Sequence, residues 1–279
     1  MTLKHILVHI DDSRNLDSRL KVAQKMAAEH GAQITGLYVT VPPYVPTYMS
    51  GYVGAGFYEN QRQSAEEAAQ QARKRFDEQA ESSGLAHDWI STDGPPADKM
   101  AEYARYADLV VIGQPDPEEY NAGDPGRELP GSVILESGRP VLVVPYAGTF
   151  DHVGSTVMVM WNASRESARA VYDALPVLKA AKKVIVTSVN PGRGTPDIGD
   201  LPGADIARQL ARHGVKAETA PTYAEDMHVD DLILSRGSDM SADLIVMGGY
   251  GRSRVRELIL GGATRGILDH MTIPVIFSH

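Results

Sequence analysis

The chain has 279 residues, enough for two domains at roughly 150 residues each, and carries a net charge of −9. With no cysteine it has no disulfide framework, no Cys-based zinc site and no Cys nucleophile. The acidic balance, with no basic stripe outside one C-terminal loop, argues against nucleic-acid binding. Apolar runs such as Val141 to Pro145 fall far short of the roughly 20 residues of a membrane span.

Taken in order, the sequence predicts strands alternating with helices. The N-terminus passes straight into a strand over Ile6–Ile10, so no secretion signal is expected and the cytoplasm is the default. Leu16, Leu20, Ala23 and Ala27 then mark the apolar stripe of a helix, with Gly31 at its stop. Ile34–Val39 is a second strand. A Pro/Gly/Tyr-rich insertion, Val41 to Asn60, carries Tyr44, Tyr48, Tyr52, Phe57 and Tyr58. It reads either as a lid or partner surface, or as an irregular loop packed on its own aromatics. A surface helix over Ala65–Ser82, a strand over His87–Ser91, a helix over Ala97–Tyr106 and strands over Leu109–Ile112 and Val141–Val144 follow.

The second half predicts strands over Ser155–Met160, Lys183–Val189, Lys216–Ala220, Leu244–Met247 and Val275–Phe277. Pro176 falls inside its first helix and is expected to kink or shorten it. The halves repeat one another. Asp108-Leu-Val-Val-Ile-Gly113 matches Asp243-Leu-Ile-Val-Met-Gly248, an offset of 135 between Gly113 and Gly248. Near the starts, Ile10-Asp-Asp-Ser13 matches Trp161-Asn-Ala-Ser164, an offset of 151 between Asp11 and Asn162. The difference is accounted for by the insertion after the second strand. The expected domains are residues 1–147 and 153–279, α/β units with open parallel sheets and ligands at the carboxyl ends of the strands.

The second half carries the chemistry. The buried strand before Gly248 leads into the spacing Gly248-x2-Gly251-x9-Gly261, with Arg252, Arg254 and Arg256 in the loop and Gly262-Ala263-Thr264 opening a helix. Glycines let a backbone approach a ligand, and a helix start attracts an anion. A tight strand-to-helix turn without a ligand is the alternative. This segment resembles the nucleotide-binding type of the universal stress protein family, whose loop follows G-x2-G-x9-G-(S/T). Gly262 departs from that pattern, standing where the family has Ser or Thr.

The resemblance implies a Rossmann-like fold in tandem and binding of ATP, with or without magnesium. The site would comprise Trp161, Asn162, Ser164, Val189, Met247, Gly248, Gly251, Arg252, Ser253, Gly261, Gly262, Ala263 and Thr264. Asn162-Ala-Ser164 stands where the family has Asp-x-Ser, whose carboxylate approaches the ribose. Asn162 serves either that role, with a charged hydrogen bond lost, or a helix-start turn or cap. Val189 matches a Val beside the adenine. The family also pairs such domains through their last strands, implying an internal pseudo-dimer here, with a homodimer as a further option.

The first half keeps Asp11-Asp-Ser13 but not the loop. Asp116 replaces Gly251, Arg127 replaces Gly262, and Pro115, Pro117, Pro125 and Pro130 remove backbone donors. Residues 113–130 carry a net charge of −4, from Asp116, Glu118, Glu119, Asp124, Glu128 and Arg127. Residues 248–265 carry +3, from four arginines and Glu257. A helix start offers an anion up to roughly 2 kcal/mol, and a carboxylate about 4 Å from a phosphate opposes it by about 4 kcal/mol. Phosphate binding is therefore expected in the second half alone.

No G-x4-G-K-(S/T), G-x-G-x-x-G or G-x-S-x-G occurs, and the nine histidines lack metal-ligand spacing, His5 and His9 reading as framework residues. Three functions remain: an ATP-binding stress sensor or regulator, with at most slow hydrolysis since no general base is evident; a nucleotide-free interaction module; and a ligase-like enzyme, disfavoured because no further catalytic domain is present.

Overall fold

The computed structural model describes residues 2–41, 55–120, 124–191, 202–224, 226–251 and 262–279. The first half runs β1 (His5–Ile10), α1 (Leu16–His30), β2 (Gln33–Thr40), α2 (Ala55–Ser82), β3 (His87–Asp93), α3 (Pro96–Ala104), β4 (Leu109–Gly113), α4 (Pro125–Glu136) and β5 (Val141–Val144). The second runs β6 (Thr156–Met160), α5 (Arg165–Asp173), α6 (Leu175–Ala180), β7 (Lys183–Thr187), α7 (Ala204–Arg212), β8 (Ala217–Thr219), α8 (Val229–Asp239), β9 (Leu244–Gly248), α9 (Gly262–His270) and β10 (Val275–Ser278).

All ten of these strands lie in one sheet, ordered β3-β2-β1-β4-β5-β10-β9-β6-β7-β8. Every pairing within a half is parallel, and β5 meets β10 antiparallel, with Leu142 opposite Ile276. The halves thus join through their last strands, and the period of two along each strand builds one core on either face. Ile6, Val8 and Ile10 pack with Leu16, Leu20 and Ala23 of α1 on one face. Leu7, Val110 and Ile112 pack with Met100 and Val133 on the other. Both layers run on into the second half through Val157 and Val159 on one side and Met158, Ile245 and Phe277 on the other.

Local signals explain the element ends. Gly31 closes α1 in the left-handed region at φ 62°. The expected first helix of the second half breaks at Ala174, and Pro176 sits in the first turn of α6, where its missing N–H costs no helix bond. The repeated aspartates have a shared task. Asp108 accepts from the Lys4 and His5 N–H groups, and Asp243 from those of Gly154, Ser155 and Thr156. His5 is a framework residue, its ring nitrogens meeting Thr35 Oγ1 at 2.7 Å and the Tyr106 carbonyl at 2.9 Å.

Two expectations change. The insertion does not extend to Asn60 as a loop, because α2 begins at Ala55 and runs 28 residues, absorbing the expected Ala65–Ser82 helix. Tyr44, Tyr48 and Tyr52 lie outside the described residues. The strand expected to reach Val189 ends at Thr187, and Val189 makes a single bridge to Thr222.

Candidate functional site

In each half the first and fourth strands lie side by side while their connections run to opposite sides, which opens a crevice at their carboxyl ends. In the second half, β6 ends in Trp161 and the chain turns sharply through Ala163, at φ 55°. Asn162 Oδ1 holds that turn by accepting from the Ser164 N–H at 3.1 Å. Ser164 Oγ accepts from the Ser167 N–H at 3.1 Å and caps α5. The cap is therefore Ser164 and the turn Asn162, whose side chain remains exposed at the crevice.

At the end of β9, a Cβ on Gly248 would stand 2.6 Å from the backbone C of Glu166 and N of Ser167. Only glycine lets the strand end lie this close to the start of α5. The Gly249 N–H donates to the Ser278 carbonyl at 2.8 Å. Tyr250 follows at φ 53°, its N–H donating to Thr264 Oγ1 at 3.1 Å, which ties the loop to the first turn of α9. Among the described residues none stands within 4 Å of where a Cβ on Gly262, the first residue of α9, would be.

These segments enclose a cavity of about 570 Å³. Of the thirteen expected site residues, ten border it: Trp161, Asn162, Ser164, Val189, Met247, Gly248, Gly251, Gly262, Ala263 and Thr264. Arg252, Ser253 and Gly261 lie outside the described residues, as do Arg254 and Arg256.

Sequence reasoning missed Met160, Ser167, Asn190, Val229 and Ile233, which also border it. The i, i+4 pair Val229 and Ile233 at the start of α8 was a readable apolar stripe, but nothing local aims it at the crevice. Asn190 is pinned by two bonds with the Ala224 backbone, at 2.8 and 2.9 Å. Glu166 was missed too. Its Oε2 stands 3.1 Å from the Cβ position of Gly251. Burial alone would raise its carboxyl pKa, but hydrogen bonds from its own N–H, Arg165 and Ser164 hold it below the usual range.

The matching crevice of the first half has a cavity of about 620 Å³ and a different chemistry. Asp11 Oδ1 accepts from the Ser13 N–H as Asn162 does from Ser164. Its Oδ2, however, accepts from Arg19 Nη1 at 3.0 Å. Arg19 is 2% exposed and also donates to the His9 carbonyl, Ser13 Oγ and Asn15 Oδ1. It fills the space beside Gly113, where a Cβ would come within 2.8 Å of Nε.

Burial would raise the Asp11 carboxyl, but Arg19, His9 and Ser13 hold it well below the carboxylate range. Burial pushes the His9 imidazole down to about 4 against the pull of Asp11, so it is neutral at pH 7. At the other end, Asp124 Oδ1 already caps α4 by accepting from the Gly126 N–H at 3.0 Å, and the Tyr120 ring lies over Gly126. Among the described residues no group of three His, Asp or Glu side chains is placed to hold a metal ion, and no helix is long and apolar enough to cross a membrane.

One sheet made of two joined halves, with a crevice in each, defines a protein of the Rossmann-like α/β class. Within that class the chain belongs to the universal stress protein family, whose sequence model matches residues 2–145 and again 155–279. It is 24% identical over 290 aligned positions to a universal stress protein from Mycolicibacterium smegmatis, covering 97% of this chain and 95% of that one. In fold it is similar to a universal stress protein from Archaeoglobus fulgidus DSM 4304, at 16% identity and TM-score 0.73, covering 98% of this chain and 97% of that one. It is also similar to a functionally unknown protein from Pseudomonas aeruginosa PAO1, at 14% identity and TM-score 0.57, covering 99% and 92%.

Proposed function

We propose that the second half binds an adenine nucleotide, ATP first, and that the chain acts in the cytoplasm as a stress-linked sensor or regulator. The observation that carries this reading is the convergence of five segments on one cavity of about 570 Å³, within the size range of small-molecule sites. The residues suit the ligand. Val189, Val229 and Ile233 offer an apolar wall for a base, and Asn162 exposes an amide that can donate to or accept from a ribose hydroxyl. Gly262 at the start of α9 borders the cavity with no described residue against its Cβ position, and a helix start favours a phosphate. The sequence adds Arg252, Arg254 and Arg256 beside it. Magnesium would neutralise phosphate charge on a bound triphosphate. Hydrolysis is not part of this reading.

The second reading is a nucleotide-free interaction module built from domains 1–147 and 153–279. The Glu166 carboxylate beside Gly251 favours it, since it opposes an anion there. Titration calorimetry of the whole chain with ATP separates the two. One ATP per chain supports the nucleotide site, two equivalent sites contradict its restriction to the second half, and no binding leaves the module.

A further inference from the structure

We propose that the first-half cavity is a second small-molecule site, built for an unphosphorylated nucleoside. Its volume, about 620 Å³, is enough for such a ligand, and it occupies the same crevice as the cavity of the second half. Strand register places Val39 where Val189 stands: His9 pairs with Leu37 and Met160 with Thr187, each two residues before its valine. Both valines border their cavities, so the apolar wall for a ring is kept.

What has changed is the other end. Asp116, Glu119 and Asp124 border it, and Tyr120 with Asp124 closes the start of α4. A phosphate accepts hydrogen bonds but has none to donate to these carboxylates, and it is repelled by them. Sugar hydroxyls both donate and accept. Asp12, exposed on the cavity border, provides an acceptor for them.

Arg19 supports the same choice. Four acceptors within the protein hold its two Nη atoms, in a side chain 2% exposed beside Gly113, so its charge is already met by Asp11 and its neighbours and does not call for an anion in the cavity. Ligand choice in the two halves is therefore opposite in sign: anionic in the second, non-anionic in the first.

The test uses adenosine on the full chain, by calorimetry, with the second half kept saturated by ATP. One adenosine per chain should bind under those conditions. Ala97→Trp fills the cavity from a half-buried position on the first turn of α3, and Asp12→Lys removes the acceptor from an exposed position. Each should weaken adenosine at least tenfold and leave ATP unchanged. Absence of adenosine binding beside ATP, or binding unaltered in both variants, overturns the proposal. If ATP itself does not bind, the same variants are compared without it, and their effect on adenosine still decides this site separately from the nucleotide site.

Discussion

Arg19 donates to the Asp11 carboxylate at 3.0 Å, and that bond makes the two halves chemically unlike at the same place in their sheets. The equivalent turn in the second half has Asn162, and Ala170 occupies the position matching Arg19 at the offset of 151, so no arginine from that helix position stands behind it. Breaking a buried pair by removing one partner costs about 3–5 kcal/mol, because the remaining charge is left uncompensated. Arg19→Met should therefore lower the melting temperature by roughly 10 °C. In wild type Asp11 is held below its unfolded value, so its stabilisation is present above the ordinary carboxylate range and is lost as pH falls through the folded value. In Arg19→Met that dependence should weaken or reverse. A thermal melt near neutral pH that stays within 2 °C of wild type would show that the pair contributes little.

His9 titrates with the opposite sign to a paired histidine. Its folded pKa of about 4 lies below the ordinary 6.5, so the unfolded chain binds the proton more readily between those values. Stability should fall as pH drops from 6.5 toward 4, by a few kcal/mol at most for a shift of this size. His9→Gln should flatten that part of the pH profile, read from melts at half-unit steps. An unchanged slope in the variant would assign it to other groups.

Gly248 and Gly262 border the same cavity but differ in what surrounds them. A methyl at 248 would meet backbone atoms at 2.6 Å that belong to a packed helix start, whereas one at 262 would meet none of the described residues within 4 Å. Gly248→Ala should cost about 1–3 kcal/mol or more, while Gly262→Ala, in the first turn of α9, should be neutral or slightly stabilising. Denaturant unfolding of the two variants side by side checks this, and equal losses would contradict the close approach.

Gln114 ties the halves together. Its side chain is 2% exposed, donates to the Leu268 and Asp269 carbonyls at 2.9 and 3.2 Å, and accepts from the Tyr146 N–H at 3.1 Å. Gln114→Ala would leave those backbone groups without their partner, at about 1–3 kcal/mol. A melting temperature equal to that of wild type would mean water replaces the amide.

The repeat, the succession of strands and helices in each half and the glycine spacing were all legible because each is local: a run of apolar residues, a stop, a fixed count. Gly248 could be singled out from sequence, but its reason could not, since the contact it permits is with Glu166 and Ser167, more than eighty positions earlier. Arg19 was illegible for the same cause. On an amphipathic helix an arginine reads as a solvated face, and only the absent side chain of Gly113 reveals the space it enters. Asp11-Asp-Ser13 seemed the better-kept ribose motif, yet Arg19 and Ser13 already engage both oxygens of Asp11. The start of α2 at Ala55 was hidden by Gly56 and the aromatics around it, weak helix formers that the helix nevertheless includes.

The central claim is that the glycine loop of the second half is the phosphate cradle, and Gly251→Asp tests it most directly. The change copies Asp116, which occupies the matching position in the first half, and it sets a carboxylate beside Glu166, whose Oε2 lies 3.1 Å from the new Cβ. A micromolar site is worth about 8 kcal/mol, so losing half of that leaves only millimolar binding. ATP titration of wild type and Gly251→Asp, each with a circular dichroism melt, should show one ATP per wild-type chain and none detectable in a folded mutant. A folded mutant that binds ATP as tightly as wild type would contradict the account.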